Sequence, residues 1–94
     1  MKIVSKKIRA SARGEDCSLR VSPNCGNVET TVFAHFNSQF RGTGLKSPDL
    51  FGCYACAACH TMLDSSQVDY EDQQRSHQET LMKLYIKGLI KVAA

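Results

Sequence analysis

Tryptophan is absent from this chain of 94 residues, and the other aromatics are few: four phenylalanines and three tyrosines. The large side chains that dominate small cores are therefore scarce. No run approaches the roughly 18 consecutive apolar residues of a membrane span, which excludes a helical membrane protein. The opening MKIVSKKIRA has no apolar stretch of the kind that heads a secretory signal. A cytoplasmic protein is the expectation. There is no repeat at a solenoid period and no low-complexity tract. The only two prolines, Pro23 and Pro48, fall in loop-like stretches.

What remains is ordinary globular usage, 43% hydrophobic and 22% charged, which excludes wholesale disorder. The length suits one domain spanning residues 1–94. Its parts read as a basic arm (1–14), a central unit (15–64) and a C-terminal helix with a tail (66–94). A domain so small and so poor in aromatics often takes a staple, and five cysteines offer one. An odd count argues against a complete disulfide framework, and no export signal supplies an oxidising compartment. Clustered cysteines in such a chain point to a metal.

Net charge is +3, and its placement says more than its size. Lys2, Lys6, Lys7, Arg9 and Arg13 crowd the arm with no acid among them, while Asp64, Asp69, Glu71, Asp72 and Glu79 gather later. A basic arm beside a compact unit suits an anionic partner such as nucleic acid. The plainer alternative is a solvated terminus with no specific role.

Residues 5–13 suit a short helix before Gly14, and the polar segment 15–27 suits a knuckle or tight hairpin. Residues 28–36 (VETTVFAHF) are rich in β-branched and aromatic types and predict a strand. A polar loop over 37–49 leads to a second short strand over 50–54. A short helix is expected over 57–64. A longer helix follows, capped by Asp69 and stopped at Gly88, with His77, Leu81, Leu84 and Tyr85 on one stripe. That stripe can pack on the domain or on a second copy, so a homodimer is one open arrangement. Residues 89–92 suit a final strand or an extended tail.

Cys53, Cys56 and Cys59 make two overlapping Cys-x-x-Cys pairs. Such a turn sets two thiolates about 2.3 Å from one zinc ion, and a tetrahedral site needs two more. Cys17 and Cys25 supply them, although they stand farther apart than the usual knuckle pair. The expected set is Cys17, Cys25, Cys56 and Cys59, with Cys53 left as a buried thiol in the second strand. Buried or redox-active thiols without a metal are the alternative. His60 and Asp64 are four apart on the short helix and can close on one divalent ion, turned away from Cys59. The alternatives are a surface His60, or His60 as a further zinc candidate, and an Asp64 that merely ends the helix. His35 shares a strand face with Phe33. With the loop, His60 and Asp64 following it, His35 is a candidate general base. His77 reads as structural.

This order resembles the ββα-metal (His-Me finger) fold of HNH endonucleases, in the variety with a structural four-cysteine zinc. The motifs are C-S-L-R-V-S-P-N-C-G-N, V-E-T-T-V-F-A-H, G-T-G-L-K-S-P-D and Y-A-C-A-A-C-H-T-M-L-D. They are most similar to a group of small phage and prophage proteins, the YbcO-like nucleases. The resemblance implies an α+β fold: a small zinc-stapled ββα-metal domain with an added long C-terminal helix. It implies His35 as the base that activates water and His60 with Asp64 as ligands of a catalytic divalent ion (Mg²⁺, Mn²⁺, Ni²⁺ or Zn²⁺). It also implies Cys17, Cys25, Cys56 and Cys59 as ligands of structural Zn²⁺. Two positions depart from the pattern. Ala34 stands where many HNH enzymes carry an acidic or histidine ligand. The asparagine that usually orients the base is missing, and Asp49 or Asn37 is its candidate replacement.

The expected function is metal-dependent endonucleolytic hydrolysis of nucleic acid, DNA foremost. Lys6, Lys7, Arg9, Arg13, Arg41 and Lys46 would hold the phosphate backbone. A non-catalytic zinc-stapled module binding nucleic acid or a protein of phage recombination or replication is the alternative, and a thiol redox protein is a more distant one.

Overall fold

The computed structural model describes residues 4–36 and 48–93. The anticipated loop, with Asn37, Arg41 and Lys46, therefore lies almost wholly outside the described residues, as does Lys2. Helix α1 is Lys6–Ser11, opened by Ser5, whose Oγ accepts the Ile8 N–H at 3.2 Å. It is shorter than the 5–13 anticipated. Strand β1 is Val32–His35 and strand β2 is Gly52–Ala55, paired antiparallel with His35 opposite Gly52 and Phe33 opposite Tyr54. Helix α2 is Ala57–Asp64 and helix α3 is Tyr70–Ile86. The result is a small α+β structure whose sheet, among the described residues, has two strands. No helix among the described residues is long and apolar enough to cross a membrane.

Both helices of the C-terminal half lie where the sequence puts them, but both strands are displaced, for local reasons. The expected 28–36 strand begins late because Asn27 accepts the Glu29 N–H at 3.2 Å and draws Val28–Thr30 into a 3-10 turn. A local side-chain acceptor overrides β-propensity there. The second strand starts late because the chain turns first, with Phe51 N–H bonded to the Pro48 carbonyl at 2.9 Å.

Helix α3 ends as anticipated at Gly88, which adopts φ +74°. Gly88 N–H donates to Tyr85 and Leu89 N–H to Leu84, a Schellman closure that a left-handed residue permits. The chain beyond it is an extended tail and not a strand. Asp69 sits at the N-cap without a side-chain capping bond.

The buried side of α3 departs most from expectation. Ser76, Thr80 and Leu84 are fully buried, whereas Tyr85 is 53% exposed. The helix lies along the open edge of β2, where backbone polar groups need partners. Thr80 Oγ1 accepts the Tyr54 N–H at 3.1 Å, and Ser18 N–H donates to the Tyr54 carbonyl at 2.7 Å. A polar stripe on α3 thus closes a polar edge.

The sheet separates two apolar clusters. On one face Ala34, Cys53 and Ala55 pack with Leu19, Val68 and the cysteines of the knuckle and α2. On the other, Phe33 and Tyr54 pack with Ile8 and Ala12 of the N-terminal helical segment and Leu84 of α3. Gly52 is required on this second face. A Cβ there would lie 2.5 Å from the Ala34 carbonyl oxygen and 2.6 Å from the Phe33 ring. Its absence lets Phe33 stand edge-on to His35, with ring centroids 5.2 Å apart.

Candidate active site and metal centre

The ligand atoms of Cys17, Cys25, Cys56 and Cys59 all lie within 4.8 Å of one another. Cys56 occupies the N-cap of α2, so Cys59 follows in the first turn, and the knuckle brings Cys17 and Cys25 to them. The knuckle is shaped by Arg20, at φ +52°, and by the Cys25 N–H bonded to the Ser22 carbonyl at 3.0 Å. Arg20 N–H also points at the Cys17 sulfur from 3.5 Å.

Burial pushes the Cys25 and Cys59 thiols up, and neighbouring sulfurs add to it. Burial works against the Cys56 thiolate as well, but the backbone N–H groups of Cys59 and Gly26, with the nearby thiols, bring that thiol down to about 7. One sulfur ready to ionise beside two that resist is a set that a cation would complete. A zinc tetrahedron with bonds of about 2.3 Å has edges of about 3.8 Å, so the donor set and its spacing fit a structural zinc ion. Cys53 stands apart, fully buried, with its thiol pushed up to about 12 chiefly by burial.

On the opposite face His35 Nε2 lies 2.6 Å from Asp49 Oδ1. The Asp49 side chain is 0% exposed and that of His35 12%. Asp49 Oδ2 accepts the Ser5 N–H at 2.6 Å, and Arg9 Nε donates to both carboxylate oxygens at 2.9 and 3.1 Å. Burial alone would push the Asp49 carboxyl up. The bonds from His35, Ser5 and Arg9, with the Arg9 charge, outweigh it and hold the carboxyl below its ordinary value. A carboxylate only accepts, so Nε2 is the donor, and the neutral ring carries its lone pair on Nδ1. A base held in one tautomer by a buried carboxylate is equipped to take a proton from water.

His60 and Asp64 are one turn apart on α2, with Nε2 3.4 Å from Oδ2. Both are open to solvent, and the separation suits two ligands of one divalent ion, with its other positions left to water or substrate. Lys6, Lys7 and Arg13 are exposed on and just after α1. Arg9, expected only on the phosphate backbone, spends its Nε on Asp49. His77 donates from Nε2 to the Leu50 carbonyl at 2.7 Å and stands edge-on to Phe36.

Sequence reasoning missed two connections. The first is the Arg9–Asp49 pair, separated by 40 positions. The second is a clamp on the knuckle. Arg75 donates to the Ser18 and Leu19 carbonyls at 2.8 and 2.6 Å and to Glu79 at 2.8 Å. Arg20 meets the same Glu79 with two bonds of 2.8 Å. The only signal was the i, i+4 spacing of Arg75 and Glu79.

The fold and these sites define a small α+β protein with a metal-competent cluster of four cysteines on one side of its sheet and a histidine–aspartate pair on the other. Residues 6–89 match the family described as "Putative nuclease YbcO", and the chain belongs to that family. It is similar to "Putative nuclease YbcO" of Escherichia coli (strain K12) and to "Putative nuclease ybcO" of Enterobacteria phage 82. Each is 46% identical over 59 residues, which are 61% of this chain. The match spans 62% of the length of these curated relatives. A solved structure, described as "Structure of a putative bacteriophage protein from Escherichia coli str. K-12 substr. MG1655", superposes with a TM-score of 0.67 at 31% identity. The superposition covers 87% of this chain and 100% of that one.

Proposed function

We propose that the protein is a metal-dependent endonuclease of the HNH type that hydrolyses phosphodiester bonds in DNA. In this reading Cys17, Cys25, Cys56 and Cys59 hold a structural zinc ion with no open position. The relatives' names support the activity. The observation that carries the mechanism is the 2.6 Å contact of His35 with a fully buried Asp49. A buried aspartate serving the fold alone has no need of an imidazole that remains part-exposed.

His35 takes a proton from water through Nδ1 as the water oxygen bonds to phosphorus and the ester P–O bond breaks. Asp49 keeps the ring oriented and balances the imidazolium as it forms. His60 and Asp64 would hold the catalytic ion, which when bound supplies charge stabilisation at the phosphate oxygens. Lys6, Lys7 and Arg13 hold the backbone without reading sequence, and Arg41 and Lys46 are proposed to share that task.

The test is conversion of supercoiled plasmid with added Mg²⁺, Mn²⁺ or Ni²⁺, with the His35→Ala protein alongside. Cleavage should fall by about a hundredfold or more in the variant, with zinc content unchanged at one per chain. Cleavage that survives the change would remove His35 from the mechanism. One observation favours a second reading, a non-catalytic module that binds nucleic acid or protein. Ala34, beside the base, is 1% exposed and packs into the apolar cluster, so it offers an ion no ligand. Salt-dependent DNA binding with no nicking under any added ion would establish that reading instead.

A further inference from the structure

We infer that Arg9 of α1 is a positioning residue for His35, acting through Asp49, so that the N-terminal helix completes the active site as well as lending it charge. The inference deepens the nuclease reading and rests on it for its kinetic consequence, though not for its structural one.

The chain of contacts is short and directional. Arg9 Nε touches both Asp49 oxygens, and Asp49 Oδ1 touches His35 Nε2. The same helix adds the Ser5 N–H to Oδ2, just ahead of its first turn. Two donors from the N-terminal segment, the Ser5 N–H and Arg9 Nε, fix the plane of one buried carboxylate, and that plane fixes the imidazole. Among the described residues, the other groups shown beside His35 are uncharged: Phe33 lies next to it on β1 and Gly52 opposite it on β2. Arg9 and Asp49 are the charged groups shown to face this ring, directly or through one contact.

The Arg9 side chain is 41% exposed, unlike the carboxylate it serves. A guanidinium so exposed avoids most of the desolvation cost that full burial of a second charge would bring. This one joins through Nε and keeps its stem on the surface of the helix. Without it, Asp49 would lose the side-chain donor that spans both its oxygens, and the carboxylate plane would be free to turn.

The experiment compares wild type, Arg9→Met and Arg9→Lys. Arg9→Met keeps the stem and removes donor and charge; Arg9→Lys restores the charge. The first readout is the ¹⁵N spectrum of His35, which reports the tautomer whether or not the protein cuts. Wild type should show Nε2–H as the dominant form, Arg9→Met a mixture, and Arg9→Lys an intermediate. The second readout is plasmid cleavage. In Arg9→Met, kcat should fall about tenfold with KM little changed.

Identical His35 spectra in wild type and Arg9→Met would overturn the inference. So would a loss confined to KM, which would make Arg9 a phosphate contact only. If Arg9→Met fails to fold, the Arg9→Lys spectrum decides: a wild-type tautomer ratio there overturns the positioning role, because the donor has moved. A tautomer shift in a protein that cuts no substrate would sustain the coupling and refute the nuclease reading, so the two failures are distinguishable.

Discussion

The two faces of the sheet carry polar clusters built on opposite plans. On one, four sulfurs of the same chemistry converge within 4.8 Å, with two of their thiols pushed up and one brought down to about 7. Beyond the Arg20 guanidinium nearby, the sulfurs meet mainly one another. On the other face Asp49 meets a cation, a backbone N–H and an imidazole, and its charge is balanced within the chain. One cluster calls for an ion from outside, and the other is complete as folded. Under the proposed function stability and chemistry divide between them: the incomplete cluster would serve as a staple, the complete one as a reagent.

Removing the metal should have the largest effect and is the quickest way to break this comparison. A strong chelator, or Cys56→Ser, should cost about 5 kcal/mol or more of stability, since binding free energy at a structural zinc site is folding free energy. Urea unfolding followed by circular dichroism, with elemental analysis, measures it. A metal-free protein that unfolds at the same urea concentration would show that the sulfurs need no ion.

Gly52→Ala sharpens the comparison from the other face. The added methyl meets the Ala34 carbonyl at 2.5 Å and the Phe33 ring at 2.6 Å. We expect a loss of about 2 kcal/mol in urea unfolding, and reduced cleavage because Phe33 is pushed against His35. An unchanged midpoint would mean that the strand yields there.

The smallest effect is expected at the knuckle clamp. Glu79 is pulled from its ordinary 4.5 down to about 2, first by its bond to Arg20 and then, against some burial, by Arg75. The folded value lies below the unfolded one. The stabilisation is therefore fully present above about pH 4.5 and is lost as pH falls towards 2. Glu79→Gln should cost about 1 kcal/mol or less at pH 7, as befits a partly exposed network. Its midpoint should converge with that of wild type on acidification. A constant gap across that range would assign the loss to packing and not to charge.

The legible parts of this fold are those whose signals are local. Asp69, Gly88 and the Ala57–Ala58 pair bounded α3 and α2 closely because caps and propensities act within a turn. Cysteine spacing pointed to a metal because few other uses bring such thiols together. The His60–Asp64 proximity followed from helical geometry alone. What the sequence concealed was long-range. Arg9 and Asp49 find each other across 40 positions, and no periodicity announces it. The buried stripe of α3 was concealed by its chemistry: Ser76 and Thr80 read as surface residues until an unpaired strand edge lies beneath them. The late start of β1 was hidden because Asn27 competes through a side-chain bond that strand propensity ignores.

The His35–Asp49 bond has one more consequence. It joins two residues 14 positions apart, and Phe36 N–H is tied to the Phe51 carbonyl at 2.9 Å just beside it. The residues flanking the intervening segment are thereby held together by the sheet and by the imidazole–carboxylate contact. The entropy of closing such a segment grows only with the logarithm of its length, by about 0.6 kcal/mol per doubling. The His35–Asp49 contact therefore depends little on the number of residues between its two ends. Changes of length or composition between positions 36 and 48 should leave the His35–Asp49 contact in place.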